Sequence, residues 1–123
     1  MPAPSRSARN KRYRKGIRAE WVAAQHLRLR GWRIIGTRFK TPLGEIDLIA
    51  KRGRTIAFIE VKARASHQKA AEAIHHENQQ RVVRAAQWFL SAHPNYADYH
   101  LRFDACLVPW YYWPTFIPHA FGA

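Results

Sequence analysis

Acidic residues are scarce in this chain. Eight of its 123 residues are Asp or Glu, against 21 Lys or Arg, and the formal net charge is +13. An excess of this size argues against a cationic partner and favours a polyanion, either nucleic acid or an acidic membrane surface. Cysteine is nearly absent: Cys106 stands alone, which excludes an internal disulfide and leads us to expect a reducing, cytoplasmic compartment. Long apolar runs are missing too, none approaching the roughly 20 residues that span a bilayer, so no membrane insertion is expected. The basic start, PAPSRSARNKRYRK, has no apolar block after it and does not read as a secretory signal. What remains is ordinary: 47% of the residues are apolar, enough for one domain with a real core.

Against that scarcity, the stretch Gly44 to Arg64 stands out. It reads as two apolar strands joined by the turn Lys51-Arg52-Gly53-Arg54, and it holds Glu45, Asp47 and Glu60 among Ile, Leu, Val and Phe. A carboxylate set among apolar neighbours is costly unless a positive group holds it. Placing three of eight acids in strands therefore suggests a site.

Residues 1–14 lack the apolar content needed to offset ordering and predict a mobile basic arm. From Lys15 to Arg30, Ile17, Trp21, Ala24 and Leu27 recur at helical steps, and Gly31 supplies a stop. Glu20 falls within the arc of that stripe, which suits either an ion pair or a site residue facing a sheet. Strands are predicted over Trp32–Phe39, Glu45–Ala50 and Thr55–Ala63, with Thr41-Pro42-Leu43-Gly44 as a hairpin turn. Alternation puts Glu45, Asp47 and Ile49 on one face of the second strand, and Phe58, Glu60 and Lys62 on one face of the third. A helix from about Ala70 to His93 and a strand over Leu101–Val108 complete a core over 15–109, in the order αβββαβ. The aromatic and proline-rich residues 110–123 fit neither period and are expected to fold over the core.

If the second and third strands pair, Asp47 and Glu60 converge with Lys62 beside them. Two neighbouring carboxylates resist ionising together unless a cation lies between them. Oxygen ligands of this kind suit Mg²⁺ or Mn²⁺. Together these parts describe metal-dependent phosphodiester hydrolysis.

Asp47, a gap of twelve residues, and Glu60-Val61-Lys62 resemble the P-D…(D/E)-x-K signature of the restriction-endonuclease-like nucleases. The blocks GEIDLIA and FIEVKAR, with Gly16, Glu20, Ala24, Gly31 and Arg102-Phe103-Asp104, resemble more closely the small YraN-like family, over about residues 15–108. The resemblance implies an α/β, restriction-endonuclease-like domain with a mixed central sheet flanked by helices, similar to archaeal Holliday-junction resolvases. It also implies Glu20, Asp47, Glu60 and Lys62 as active-site residues, the three acids holding metal. Two positions depart from the pattern. Ile46 replaces the superfamily proline, as is normal for this family, and Asn78 stands where relatives usually carry lysine, with Arg81 available to compensate.

The expected substrate is DNA, branched or junction DNA included, with RNA left open. Lys11, Arg12, Arg14, Arg64, Arg81 and Arg84 are the candidate phosphate contacts. Cutting two strands would require a homodimer, which no sequence feature demonstrates. The competing expectation is a nucleic-acid-binding protein that retains the site without cutting. His75-His76 is not read as a zinc site, since adjacent histidines do not point at one metal. Glu45 is read as a hydrogen-bonded turn residue rather than a ligand, and Asp104 as an anchor for an arginine.

Overall fold

The computed structural model describes the backbone of residues 6–63, 76–109 and 113–121, and the side chains of 16–63, 79–109 and 113–120. A long helix, α1 (Arg6–Leu29), leads into β1 (Arg33–Thr41), β2 (Gly44–Arg52) and β3 (Thr55–Lys62). Helix α2 (His76–Ala92), a 3₁₀ turn at Pro94–Tyr96, β4 (His100–Leu107) and β5 (Thr115–Phe121) follow. The strands form one mixed sheet in the order β1-β2-β3-β4-β5. All neighbours are antiparallel except β3 and β4, which run parallel. Helix α2 lies in the connection between those two strands, as a parallel crossover requires.

Two apolar layers sandwich the sheet. On one side Ala19, Ala23, Ala24 and Leu27 of α1 pack with Leu48, Ala50, Ala57, Ile59, Val61 and Cys106. On the other, Val82, Ala85, Ala86 and Phe89 of α2 pack with Ile46, Ile49, Ile56, Phe58 and Phe103. Fully burying a side chain such as Phe58 or Ile59 contributes on the order of 2–3 kcal/mol.

Helix α1 differs from the sequence expectation in two ways. It starts at Arg6 rather than near Lys15, so most of the expected arm is helical. No Pro or Gly interrupts residues 6–15, and Arg, Lys and Ala there are good helix formers. Its buried stripe is also rotated. Three alanines and Leu27 face the sheet, whereas Ile17 and Trp21 are 39% and 63% exposed. Small residues let the helix axis come close to the strands. The helix ends as expected at Gly31 (φ +87°): Trp32 N–H donates to Leu27 O and Gly31 N–H to Arg28 O.

The β1–β2 hairpin turns at Pro42-Leu43. The Thr41 hydroxyl accepts from the Leu43 and Gly44 N–H groups and donates to Gly44 O, fixing the turn. Gly44 is needed for a second reason. A Cβ there would lie 2.4 Å from the Arg81 carbonyl oxygen, so its absence lets α2 reach the start of β2.

Two further expectations are corrected. Alternation along β2 does not run unbroken: Ile46 packs in the α2 layer with Ile49, while Leu48 and Ala50 pack in the α1 layer. The irregularity falls at Asp47. The C-terminal residues supply a fifth strand, so the order αβββαβ gains a final β. Pro118 is tolerated in β5 because the strand lies at the sheet edge. Part of the expected aromatic cover, Trp110-Tyr111-Tyr112, lies outside the described residues. Trp113 is 78% exposed, touching His26 edge-on, and Phe116 packs against the α1 layer.

Candidate active site

The β2–β3 ladder runs from Arg52↔Thr55 to Leu48↔Ile59. Immediately beyond it, the Asp47 side chain takes the place of a backbone acceptor: Oδ2 accepts the Val61 N–H at 2.8 Å. This bond pins the carboxylate where the two strands diverge, one residue from Glu60. Lys62 follows two residues later on β3, and its Nζ lies 3.0 Å from Glu60 Oε1.

The third acid comes from α1. Glu20 sits within the helix surface turned to the sheet, only 16% exposed, and its Oε2 accepts from Arg38 Nε at 2.9 Å. Arg38 lies on β1 between the paired positions Thr37↔Leu48 and Phe39↔Ile46, which places it alongside Asp47. It adopts φ +50°, an uncommon conformation for a residue with a side chain.

Two cavities open on this group. One, of about 210 Å³, is lined by Glu20, Arg38, Lys40, Glu45 and Asp47. The other, of about 170 Å³, is lined by Glu45, Glu60, Lys62, Arg81 and Val82. Glu45 lines both. Each cavity thus carries carboxylates and cations together, the mixed character needed to admit a metal ion and a phosphate.

Electrostatics single out Asp47. Burial, then the charge of Glu60, push its carboxyl up to about 7, Glu20 adding to the rise. The Val61 N–H and the charge of Lys62 oppose it without cancelling it. Glu20 is also shifted upward, chiefly by burial, against the stabilising guanidinium of Arg38, with the charges of Glu45 and Glu60 reinforcing the rise. The acids therefore repel one another across a partly desolvated space. A divalent cation would relieve that repulsion, and oxygen donors are the type Mg²⁺ and Mn²⁺ prefer. In the conformation seen, Glu60 and Glu20 each engage a protein cation. Among the described residues no three acids or imidazoles converge into a ready metal cage.

The structure places Glu20 and Asp47 at one cavity and Glu60 and Lys62 at the other, with Glu45 lining both. Arg81 lines the Glu60 cavity, and Arg84 is exposed one turn further along α2. Arg64 and His75 lie outside the described residues, as do the side chains of Lys11, Arg12, Arg14, His76 and Asn78. Sequence reasoning missed Arg38 and Lys40 and set Glu45 aside. The available signal was their spacing of two on β1, which places both beside the acids once β1 pairs with β2. Asp104 behaves as expected. It is 4% exposed, pairs with Arg102 at 2.8 Å, and also accepts the His119 N–H at 3.0 Å, tying β5 to β4.

The model of the uncharacterised protein family UPF0102 matches residues 19–108, the span that contains all four of these residues. The chain belongs to that family. A UPF0102 protein of Chelativorans sp. is 48% identical over 123 residues, covering 100% of this chain and 99% of the relative. One from Rhodopseudomonas palustris strain BisB18 is 49% identical over 124 residues, covering 99% and 92%. One from Bradyrhizobium diazoefficiens is 49% identical over 111 residues, covering 90% and 84%. The UPF0102 match runs from the buried face of α1 to the end of β4. It therefore includes the sheet-facing C-terminal part of α1 and all of α2, and stops short of β5.

Proposed function

We propose that this chain is a divalent-metal-dependent endonuclease of the restriction-endonuclease-like type, hydrolysing phosphodiester bonds in DNA, branched or junction DNA included. The observation that carries the reading is Asp47. Its carboxylate is fixed by the Val61 amide, held beside Glu60, and left with a carboxyl raised to about 7.

Asp47 and Glu60 would hold Mg²⁺ or Mn²⁺, with Glu20 as a third carboxylate. A metal so bound supplies a more acidic water and neutralises charge on the phosphate. The residues of the chain do the rest. Lys62 carries its ammonium into the Glu60 cavity, where it orients an attacking water and stabilises negative charge developing on phosphate oxygens. Arg81 and Lys40, at the rims of the two cavities, are placed to grip phosphates on either side. Burial of Asp47 keeps bulk water from screening these interactions.

One observation favours a second reading. Glu60 and Glu20 already have cationic partners in Lys62 and Arg38, so the site persists as two ion pairs without metal. Under that reading the chain binds nucleic acid and does not cut it.

A panel of linear, flapped and four-way-junction DNA, tested with Mg²⁺, with Mn²⁺ and with chelator, separates the two. The enzyme reading predicts metal-dependent cleavage that Glu60→Ala abolishes while DNA binding persists. Clean wild-type protein that binds the panel and cuts none of it would leave the binding module.

A further inference from the structure

The end of the sheet remote from the acids carries a second set of organised cations. At this end the β2–β3 turn, the end of α1 and the start of β4 meet. Strand β3 has eight residues, so the distance from this end to Lys62 is on the order of 23 Å at ~3.3 Å per step.

The arginines here are held in place. The Arg52 guanidinium lies 4.3 Å from the Trp32 ring centre and its Nη1 donates to the Arg30 carbonyl at 3.2 Å. Arg102 approaches the same ring at 5.4 Å while pairing with Asp104, and the Arg30 side chain reaches along the sheet to lie 4.5 Å over Phe116 of β5, whose strand partner is Cys106. On the neighbouring side Arg54 lies 4.8 Å from the Tyr99 ring and pairs with Asp98. Arg30, Arg52 and Arg54 are nevertheless exposed. Stacking on an aromatic face removes much of the entropy lost on binding, and Arg30 and Arg52 form no ion pair with a described carboxylate, so their guanidinium edges are open to phosphate.

We infer that this end is a second binding surface for the phosphate backbone of duplex DNA, used at the same time as the acidic cavities, so that one molecule holds two DNA segments. Planar forks match phosphate oxygens, and the charge is complementary to a polyanion. An acidic membrane fits less well. The aromatic rings lie beneath the cations rather than beside them, Trp32 being buried, and only two large apolar side chains among the described residues of this end, Leu29 and Leu101, are exposed. Bridging of this kind requires no cleavage.

The test mixes two short blunt duplexes, one carrying a donor dye and one an acceptor, with wild-type chain in chelator, and reads energy transfer. Parallel titrations give the salt dependence of bridging and confirm binding to one duplex. Wild type should bring the duplexes together. The variant Arg30→Gln/Arg52→Gln should lose bridging at least tenfold and still bind one duplex. The salt slope of its bridging should fall by roughly two, about 0.9 for each phosphate no longer neutralised. If the double variant does not fold, as read by circular dichroism, Arg52→Gln alone should lower the slope by about one. Unchanged bridging and slope in the folded variant would overturn the inference. So would wild type that binds anionic vesicles and does not bridge duplexes.

Discussion

Asp47 is a residue whose charge state bears on the stability of this fold. Its carboxyl is raised to about 7 from an ordinary 3.8, so the folded chain binds a proton there that the unfolded chain has released. Its favourable contribution is complete below about pH 4 and is lost as pH rises through about 7. At about 1.4 kcal/mol per unit, the ionised side chain costs the fold a few kcal/mol at most. Asn in its place still offers an oxygen to the Val61 N–H. Asp47→Asn should therefore be more stable than wild type above about pH 7 and equal to it near pH 4, measured by urea unfolding at both pH values. Mg²⁺ or Mn²⁺ should raise the melting temperature of wild type at the higher pH and leave the variant unmoved. Equal stability of the two proteins throughout would mean that Asp47 is not desolvated as described. Asp104 shows the opposite case, a buried carboxylate that is satisfied. Asp104→Ala strands Arg102 and releases the His119 amide, and should cost about 3 kcal/mol in the same measurement.

Among the elements, the approach of α2 to β2 shapes the Glu60 cavity, and Gly44 permits it. Any side chain at that position meets the Arg81 backbone. Gly44→Ala should destabilise the protein by roughly 1–3 kcal/mol, the usual cost of overpacking, and weaken DNA binding through displacement of Arg81. Denaturant unfolding and a binding titration check the two halves separately. Retained stability and affinity would mean that the contact is slack. Much at this scale was legible in the sequence. The strands around Asp47 and Glu60 show in their apolar runs, the turns in Pro42 and Gly53, and the end of α1 in Gly31. Strand β5 was not legible, because Pro118 and the aromatic residues obscure its period of two and its partner, β4, is distant in the chain. The break in alternation at Asp47 was equally hidden. It arises where β2 and β3 diverge, a tertiary event that no local pattern records. For the same reason Arg38 and Lys40 looked like ordinary strand cations until β1 was paired with β2.

For the whole molecule, the charge distribution matters more than its total. A net charge of +13 favours polyanions through an attraction that falls with salt, whether or not the chain cuts. The four acids lining the two cavities lie within that field. It would draw the DNA backbone toward them although carboxylates alone would repel it. The site therefore needs cations at its rim, and Lys40, Lys62 and Arg81 supply them. Replacing Arg81 and Arg84 together by Gln should weaken duplex binding in low salt and lessen its salt dependence by about two phosphates' worth of released counterion. Fluorescence anisotropy at several salt concentrations would show it, and an unaltered slope would remove α2 from the binding surface.

The most direct test of the proposed chemistry is single-turnover cleavage of a four-way junction by wild type, Asp47→Asn, Glu60→Ala and Lys62→Ala, purified identically. We expect cleavage by wild type that requires Mg²⁺ or Mn²⁺ and stops with chelator. Each variant should bind the junction and cut it at least about a hundredfold more slowly, as the loss of a charge-stabilising group in the reacting site predicts. Cleavage that persists in Glu60→Ala, or that ignores chelator, would contradict the assignment of this site.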